Sequence, residues 1–215
     1  MHENLSPSDV KNLIELGAAT LYEAAGAKGA LDPAIKPIDA SMRLAGPAFT
    51  VEARAGDNLA IHYAISRAQA GDVLVIDGRG HLDIAFIGDV MAAACQARGI
   101  AGMVLDGAAR DANAMTQMGF AVFCRGLSIK GPGKNQPGRV QVPIVCAGAP
   151  VRPGDIVVGD RDGVVVIDAA HWRTVLETAR VREAKEAKIK QAFASGRTTV
   201  ELLELEPELK RLGYS

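Results

Sequence analysis

The chain has 215 residues, 48% of them hydrophobic and 23% charged, with a formal net charge of −1. That length suits one well-packed core and falls short of two comfortable domains, so a single domain over residues 1–215 is expected. The near-neutral balance has no basic block to attract nucleic acid, and no apolar run is long enough to cross a membrane.

Aromatic residues make up only 4%, so the core must be built from Val, Ile, Leu and Ala. Cys95, Cys124 and Cys146 are odd in number, far apart and each set in an apolar stretch, which predicts buried free thiols rather than disulfides or a metal cluster. Met1-His2-Glu3-Asn4 lacks the charged-then-apolar pattern of a signal peptide, and a cytoplasmic protein is expected.

Ser6-Pro7-Ser8-Asp9 opens a first helix with capping hydroxyls and an early Pro. Its apolar face, through Leu13, Leu16, Ala19 and Leu21, fades at Gly26. A connection through Pro33 and Pro37 leads to a strand near Ala48 to Val51, and Asn58 to Ala68 reads as a helix. Val73 to Ile76 is a β-branched run of buried-strand type. Asp83 to Arg98 is predicted mostly helical, stopped by Gly99, with a strand over Ala101 to Leu105. A short helix from Asp111 to Met118 and a strand from Ala121 to Cys124 follow. Gly126 to Gln141, rich in Gly, Pro, Lys and Asn, is a long loop or hairpin. Val142 to Cys146, Asp155 to Val158 and Val164 to Ile167 are strands, and Asp160 and Asp162 are turn residues between the last two. From His171 onward the pattern is helical, interrupted around Ser195-Gly196. The fold class is therefore α/β, a mixed sheet with flanking helices and a C-terminal helical extension.

The chemistry concentrates in Gly88-Asp89-Val90-Met91 and in Leu105-Asp106-Gly107-Ala108-Ala109-Arg110-Asp111. Asp89 falls at a helix start, whose free N–H groups can bind an anion. Arg110 and Asp111 follow a strand end, where open α/β sheets place ligands. Two carboxylates and a guanidinium suit a 2-oxo acid chelated to Mg²⁺ or Mn²⁺, because a hard cation that keeps its waters needs few protein ligands. Arginine can neutralise the acid's carboxylate or enolate oxygen. The same residues are compatible with plainer roles, Asp89 as a helix cap and Arg110-Asp111 as a surface ion pair at a turn.

Asp89, twenty intervening residues and Arg110-Asp111 resemble the signature of the class II 4-hydroxy-4-methyl-2-oxoglutarate / 4-carboxy-4-hydroxy-2-oxoadipate aldolases. Tyr22-Glu23-Ala24, Gly56-Asp57-Asn58-Leu59, Pro153-Gly154-Asp155, Asp160 to Val164 and the stretch Lys134 to Ala149 look like landmarks of the same family. The resemblance runs over roughly residues 8 to 212. It implies a swivelling β/β/α fold, a homotrimer or homohexamer, a divalent metal and no organic cofactor. Asp111 would ligate the metal, Arg110 would bind the pyruvyl unit and Asp89 would hold a water on the metal. Gly88 and the amides of Val90 and Met91 would cradle the substrate carboxylate. The family's other branch, regulator of ribonuclease activity A, shares the fold but lacks the acidic residue after the Arg, which here is Asp111.

A glutamate from a neighbouring subunit completes the family's site. Trp172, Val175, Leu176 and Ala179 form an apolar helical stripe that continues onto Glu183 and Glu186, with Glu186 the preferred candidate. Trp172 is a candidate anchor for the subunit contact. His62 is read either as a core or helix-end histidine or as a residue approaching the site. Lys130, Lys134 and Arg139 are read either as solvated loop charges or as partners for further substrate carboxylates. Gly131-Pro132-Gly133-Lys134 fails as a phosphate loop, since Asn135 replaces the hydroxyl residue. His2, His81 and His171 show no zinc-site spacing. The activity so implied is retro-aldol cleavage giving pyruvate plus oxaloacetate or a second pyruvate, with oxaloacetate decarboxylation as a side reaction. The rivals are a ribonuclease-binding protein without catalysis and a dedicated oxaloacetate decarboxylase.

Overall fold

A computed structural model describes residues 5–214; the N-terminal stretch read for a signal pattern, His2 included, lies outside them. Helix α1 (Pro7–Ala24) begins with a capping box between Ser6 and Asp9. It is broken at Gly17, where the Asp160 carboxylate accepts the Ala18 amide at 2.7 Å. Strand β1 (Lys36–Pro37) and strand β2 (Leu44–Glu52) precede α2 (Leu59–Arg67). Then come β3 (Val73–Ile87), α3 (Asp89–Ala97), β4 (Gly102–Ala109), α4 (Ala112–Met118) and β5 (Val122–Leu127). Short strands β6 (Arg139–Val140), β7 (Ile144–Cys146) and β8 (Ala149–Val151) lead to β9 (Ile156–Gly159) and β10 (Val164–Ile167). The extension is α5 (Trp172–Phe193), α6 (Thr199–Leu202) and α7 (Glu206–Arg211).

The principal sheet has the order β1-β5-β4-β3-β2-β9-β10, with β6 also paired to β2. Strands β2 to β5 run parallel and are joined by α2, α3 and α4, while β1, β6, β9 and β10 pair antiparallel. This is the mixed α/β sheet with flanking helices that the sequence predicts. The side-chain period of two divides the parallel strands cleanly. Phe49, Val51, Leu74, Ile76, Met103, Leu105, Val122 and Cys124 face the three connecting helices. Their neighbours Ala48, Val73, Val75, Val104 and Phe123 pack on the other face beneath Ile35 and the β7-β8 hairpin. Both faces are buried, which is why these strands read as continuous apolar runs.

A third cluster joins α1 and α5 to β9 and β10, with Trp172 only 2% exposed. Trp172 therefore anchors α5 to its own chain rather than to a neighbour, a correction to its reading as a subunit anchor. Replacing so buried an aromatic by Ala costs about 3–5 kcal/mol. The three cysteines are free and buried, and desolvation pushes the Cys95 thiol up to about 12.

Two expectations are corrected here. The segment from Asp83 to Ile87 belongs to β3, and the helix starts only at Asp89. The cause is an excursion of β3 at Arg79 and Gly80, which have φ of 56° and 69°. The strand returns to the sheet with shifted register at Ala85 and Ile87. Phe86 is then driven under the sheet, where a Cβ on Gly107 would lie 2.8 Å from its ring. Val142 to Cys146 narrows to Ile144–Cys146, because Pro143 has no N–H for a ladder. Beyond Ala179 the α5 stripe leaves the core, with Glu183 exposed and Glu186 half-buried.

Candidate active site

The connections after β3, after β4 and before β6 meet around a cavity of about 210 Å³. Gly88, Asp89, Val90 and Met91 line it from the start of α3, and Arg110 lines it from the end of β4. Asn58 at the N-cap of α2, His62 within α2, Phe86 and Ile87 of β3, and Pro132 and Lys134 of the long loop complete the wall. This is the crevice at the carboxyl ends of parallel strands where such sheets receive ligands.

Asp111 does not line the cavity itself but lies beside two residues that do, Gly88 and Arg110. It adopts the left-handed conformation, φ 58° and ψ 34°, as the residue before α4, and its side chain makes no capping bond. Asp is among the few residues that tolerate this backbone. Its Oδ2 lies 3.2 Å from Nε of Arg110. A Cβ on residue 88 would come within 2.4 Å of that same oxygen and 3.1 Å of the Arg110 side chain. Glycine at 88 is thus what lets Arg110 and Asp111 pack against the start of α3.

Asp89 accepts the Val90 amide at 2.8 Å through Oδ1, and the Met91 amide donates to the Gly88 carbonyl at 3.1 Å. Both amides expected to cradle a carboxylate therefore have acceptors already, one of them a carboxylate.

Three neighbours were not foreseen as site residues. Asn58 is 3% exposed and donates Nδ2 to the Phe86 carbonyl at 2.9 Å and to the Met91 sulfur at 3.3 Å. Its buried Oδ1 has no hydrogen-bond partner among the described residues. Asp57 accepts the Asn135 and Gln136 amides of the long loop, and Pro132 of that loop lines the cavity. In the sequence Asp57 and Asn58 stand only within the landmark Gly56-Asp57-Asn58-Leu59, and Pro132 only within the run that fails as a phosphate loop. His62 does line the cavity, and burial first, then the Lys134 charge, hold its imidazole below the ordinary value. Lys130 pairs with Asp83, and Arg139 with Glu52, so neither faces the cavity as Lys134 does.

Glu186 is not brought to this cavity within the chain. It lies 3.1 Å from Arg182, which also pairs with Glu23, and it lines a groove with Ile189, Phe193 and Leu203. Among the described residues no group of three or more His, Cys, Asp or Glu side chains is gathered for a metal ion. Two carboxylates, Asp89 and Asp111, do not make a closed cage. A hard divalent cation that keeps most of its water needs few protein ligands, so hard oxygen donors of this kind are of the type it takes.

The family model described as RraA-like, Aldolase/RraA, matches residues 16–166. The chain belongs to this RraA-like family. It is 42% identical over 164 residues to a Halalkalibacterium halodurans protein provisionally named 4-hydroxy-4-methyl-2-oxoglutarate aldolase, covering 76% of this chain and 78% of that one. An uncharacterized protein from Pseudomonas syringae pv. tomato has a similar solved structure, with TM-score 0.82 and 31% identity over 93% of this chain and 98% of that one. The structure of the RNA-processing inhibitor RraA from Thermus thermophilis is similar at TM-score 0.65 and 28% identity, covering 70% of this chain and 91% of that one. Among the described residues no helix is long and apolar enough to cross a membrane.

Proposed function

We propose that this chain is a divalent-metal-dependent pyruvate aldolase, cleaving 4-carboxy-4-hydroxy-2-oxoadipate or 4-hydroxy-4-methyl-2-oxoglutarate. The observation that carries this reading is the packing of Asp111 and Arg110 against the side-chain-free face of Gly88, beside a cavity that Gly88, Asp89 and Arg110 line. The name of the Halalkalibacterium relative supports it.

Asp111 would hold Mg²⁺ or Mn²⁺, with Asp89 nearby and a glutamate of a neighbouring subunit, Glu186 by preference, completing the set. When bound, the cation supplies Lewis-acid stabilisation of enolate charge, a contribution on the order of several kcal/mol. Arg110 neutralises the pyruvyl carboxylate through charge-assisted hydrogen bonds. Asp89, once turned from the Val90 amide, orients a water that accepts the proton of the C4 hydroxyl. The C3–C4 electron pair then passes to the pyruvyl unit as an enolate, and C4 becomes the carbonyl of oxaloacetate or of a second pyruvate. A proton returned to C3 releases pyruvate. Lys134 and the neutral His62 stand in the wall where a further carboxylate and the C4 oxygen would lie. The same enolate stabilisation would decarboxylate oxaloacetate. The working assembly in this reading is a cytoplasmic homotrimer or homohexamer.

Asp111→Ala should abolish pyruvate release while leaving the circular dichroism spectrum and melting temperature unchanged. Full activity in that variant sinks the assignment. The likeness to the RNA-processing inhibitor favours a second reading, in which the chain binds a ribonuclease without catalysis. That reading predicts ribonuclease inhibition that is indifferent to Asp111→Ala.

A further inference from the structure

Asp57 is 2% exposed, an uncommon place for a carboxylate, and among the described residues no cation pairs with it directly. Its partners are backbone amides from two separate segments. Oδ1 accepts the Leu59 amide at 2.9 Å, at the first residue of α2. Oδ2 accepts the amides of Asn135 at 2.7 Å and Gln136 at 3.1 Å, in the long loop. Two backbone bonds reinforce the junction: Gly133 donates to the Gly56 carbonyl at 2.8 Å, and Asn58 donates to the Gly133 carbonyl at 3.1 Å.

Both joined segments are cavity walls. The α2 side carries Asn58 and His62, and the loop side carries Pro132 and Lys134. The loop also backs the guanidinium on the other side, because a Cβ on Gly131 would come within 2.9 Å of Nη1 of Arg110. Residues 133 to 137 are exposed and lack helix or extended sheet pairing of their own, so little else fixes them. Burial alone would raise the Asp57 carboxyl, but the amides of Asn135, Leu59 and Gln136, with the Lys134 charge, outweigh it and hold it ionised.

We propose that Asp57 is a positioning residue that latches the 131–136 loop to the start of α2, and so sets Lys134 in the cavity wall for the far carboxylate of the substrate. The latch stands on geometry alone, whereas its effect on substrate rests on the aldolase reading above. Asp57→Asn keeps the size but places an amide group where two acceptor positions are needed. Asn135→Pro deletes one donor from an exposed position and tests the latch should the first variant fold poorly.

The first readout needs no turnover. Because the carboxamide keeps one acceptor oxygen, hydrogen exchange of at least one of the Gln136 and Leu59 amides should accelerate about tenfold or more in Asp57→Asn, with β4 amides unchanged. Equal protection in variant and wild type overturns the latch, whether or not the protein is an aldolase. The second readout is kinetic. KM for 4-carboxy-4-hydroxy-2-oxoadipate should rise about tenfold, with kcat within about threefold of wild type. The double variant Asp57→Asn/Lys134→Ala should be no worse than Lys134→Ala alone, because the latch acts through the lysine. Additive losses, or a fall in kcat at constant KM, overturn that coupling.

Discussion

Position 88 has no room for a side chain, because Asp111 and Arg110 occupy the space a Cβ would need. Gly88→Ala should therefore push Asp111 and Arg110 out of register with the start of α3. A displacement near 1 Å costs about 100-fold in rate where geometry carries the catalysis. The variant should lose about that much kcat/KM for pyruvate release with a melting temperature close to wild type; activity within a few-fold of wild type would show that the two residues need not be held there. Asp89, Arg110 and Asp111 were legible in the sequence because their spacing places them at the ends of two neighbouring elements. In the structure Asp89 and Arg110 line one cavity, and Asp111 lies against Arg110 and Gly88. Asp57 and Asn58 were read only as landmarks. Their work depends on contact with residues more than seventy positions onward or with Phe86 and Met91, and no local pattern encodes that.

At the scale of elements, the parallel strands and their three crossover helices followed from apolar runs and turn residues. The failure was β3, where the polar excursion at Arg79 and Gly80 masked the strand's continuation and made the buried Ala85-Phe86-Ile87 look helical. That excursion has an electrostatic consequence. Asp77, paired in register with Glu52, has its carboxyl raised by burial above all, with the Asp106 and Glu52 charges adding to it and the Arg79 amide and charge opposing. A carboxyl with a raised folded pKa contributes stability that is complete below its ordinary pKa and is lost as pH rises through the raised value. Asp77→Asn should consequently melt higher than wild type at pH 7 and together with it near pH 3. A difference that is constant across this range, or of opposite sign, would show that the carboxylate finds compensation not visible in the fold.

At the scale of the whole molecule, one chain supplies Asp89 and Asp111 but carries Glu186 on an extension that departs from its own core after Ala179. The helical extension itself was legible from its charge pattern and breakers. Where its carboxylates go was not: within one chain Glu186 pairs with Arg182 beside a separate groove, a placement set by tertiary contacts that helical spacing does not encode. If Glu186 completes the site of a neighbouring subunit, Asp111→Ala and Glu186→Ala proteins are each inactive alone but regain activity when unfolded, mixed and refolded together. Two inactive variants that stay inactive on mixing place both residues in one site or leave Glu186 outside it. The central claim, that this cavity cleaves a carbon–carbon bond beside a pyruvyl unit with a divalent metal, is tested most directly by pyruvate release from 4-carboxy-4-hydroxy-2-oxoadipate coupled to lactate dehydrogenase. The account predicts turnover with Mg²⁺ or Mn²⁺ that disappears after EDTA and returns when metal is restored. A folded protein with no turnover in either metal, or with turnover indifferent to EDTA, would contradict it.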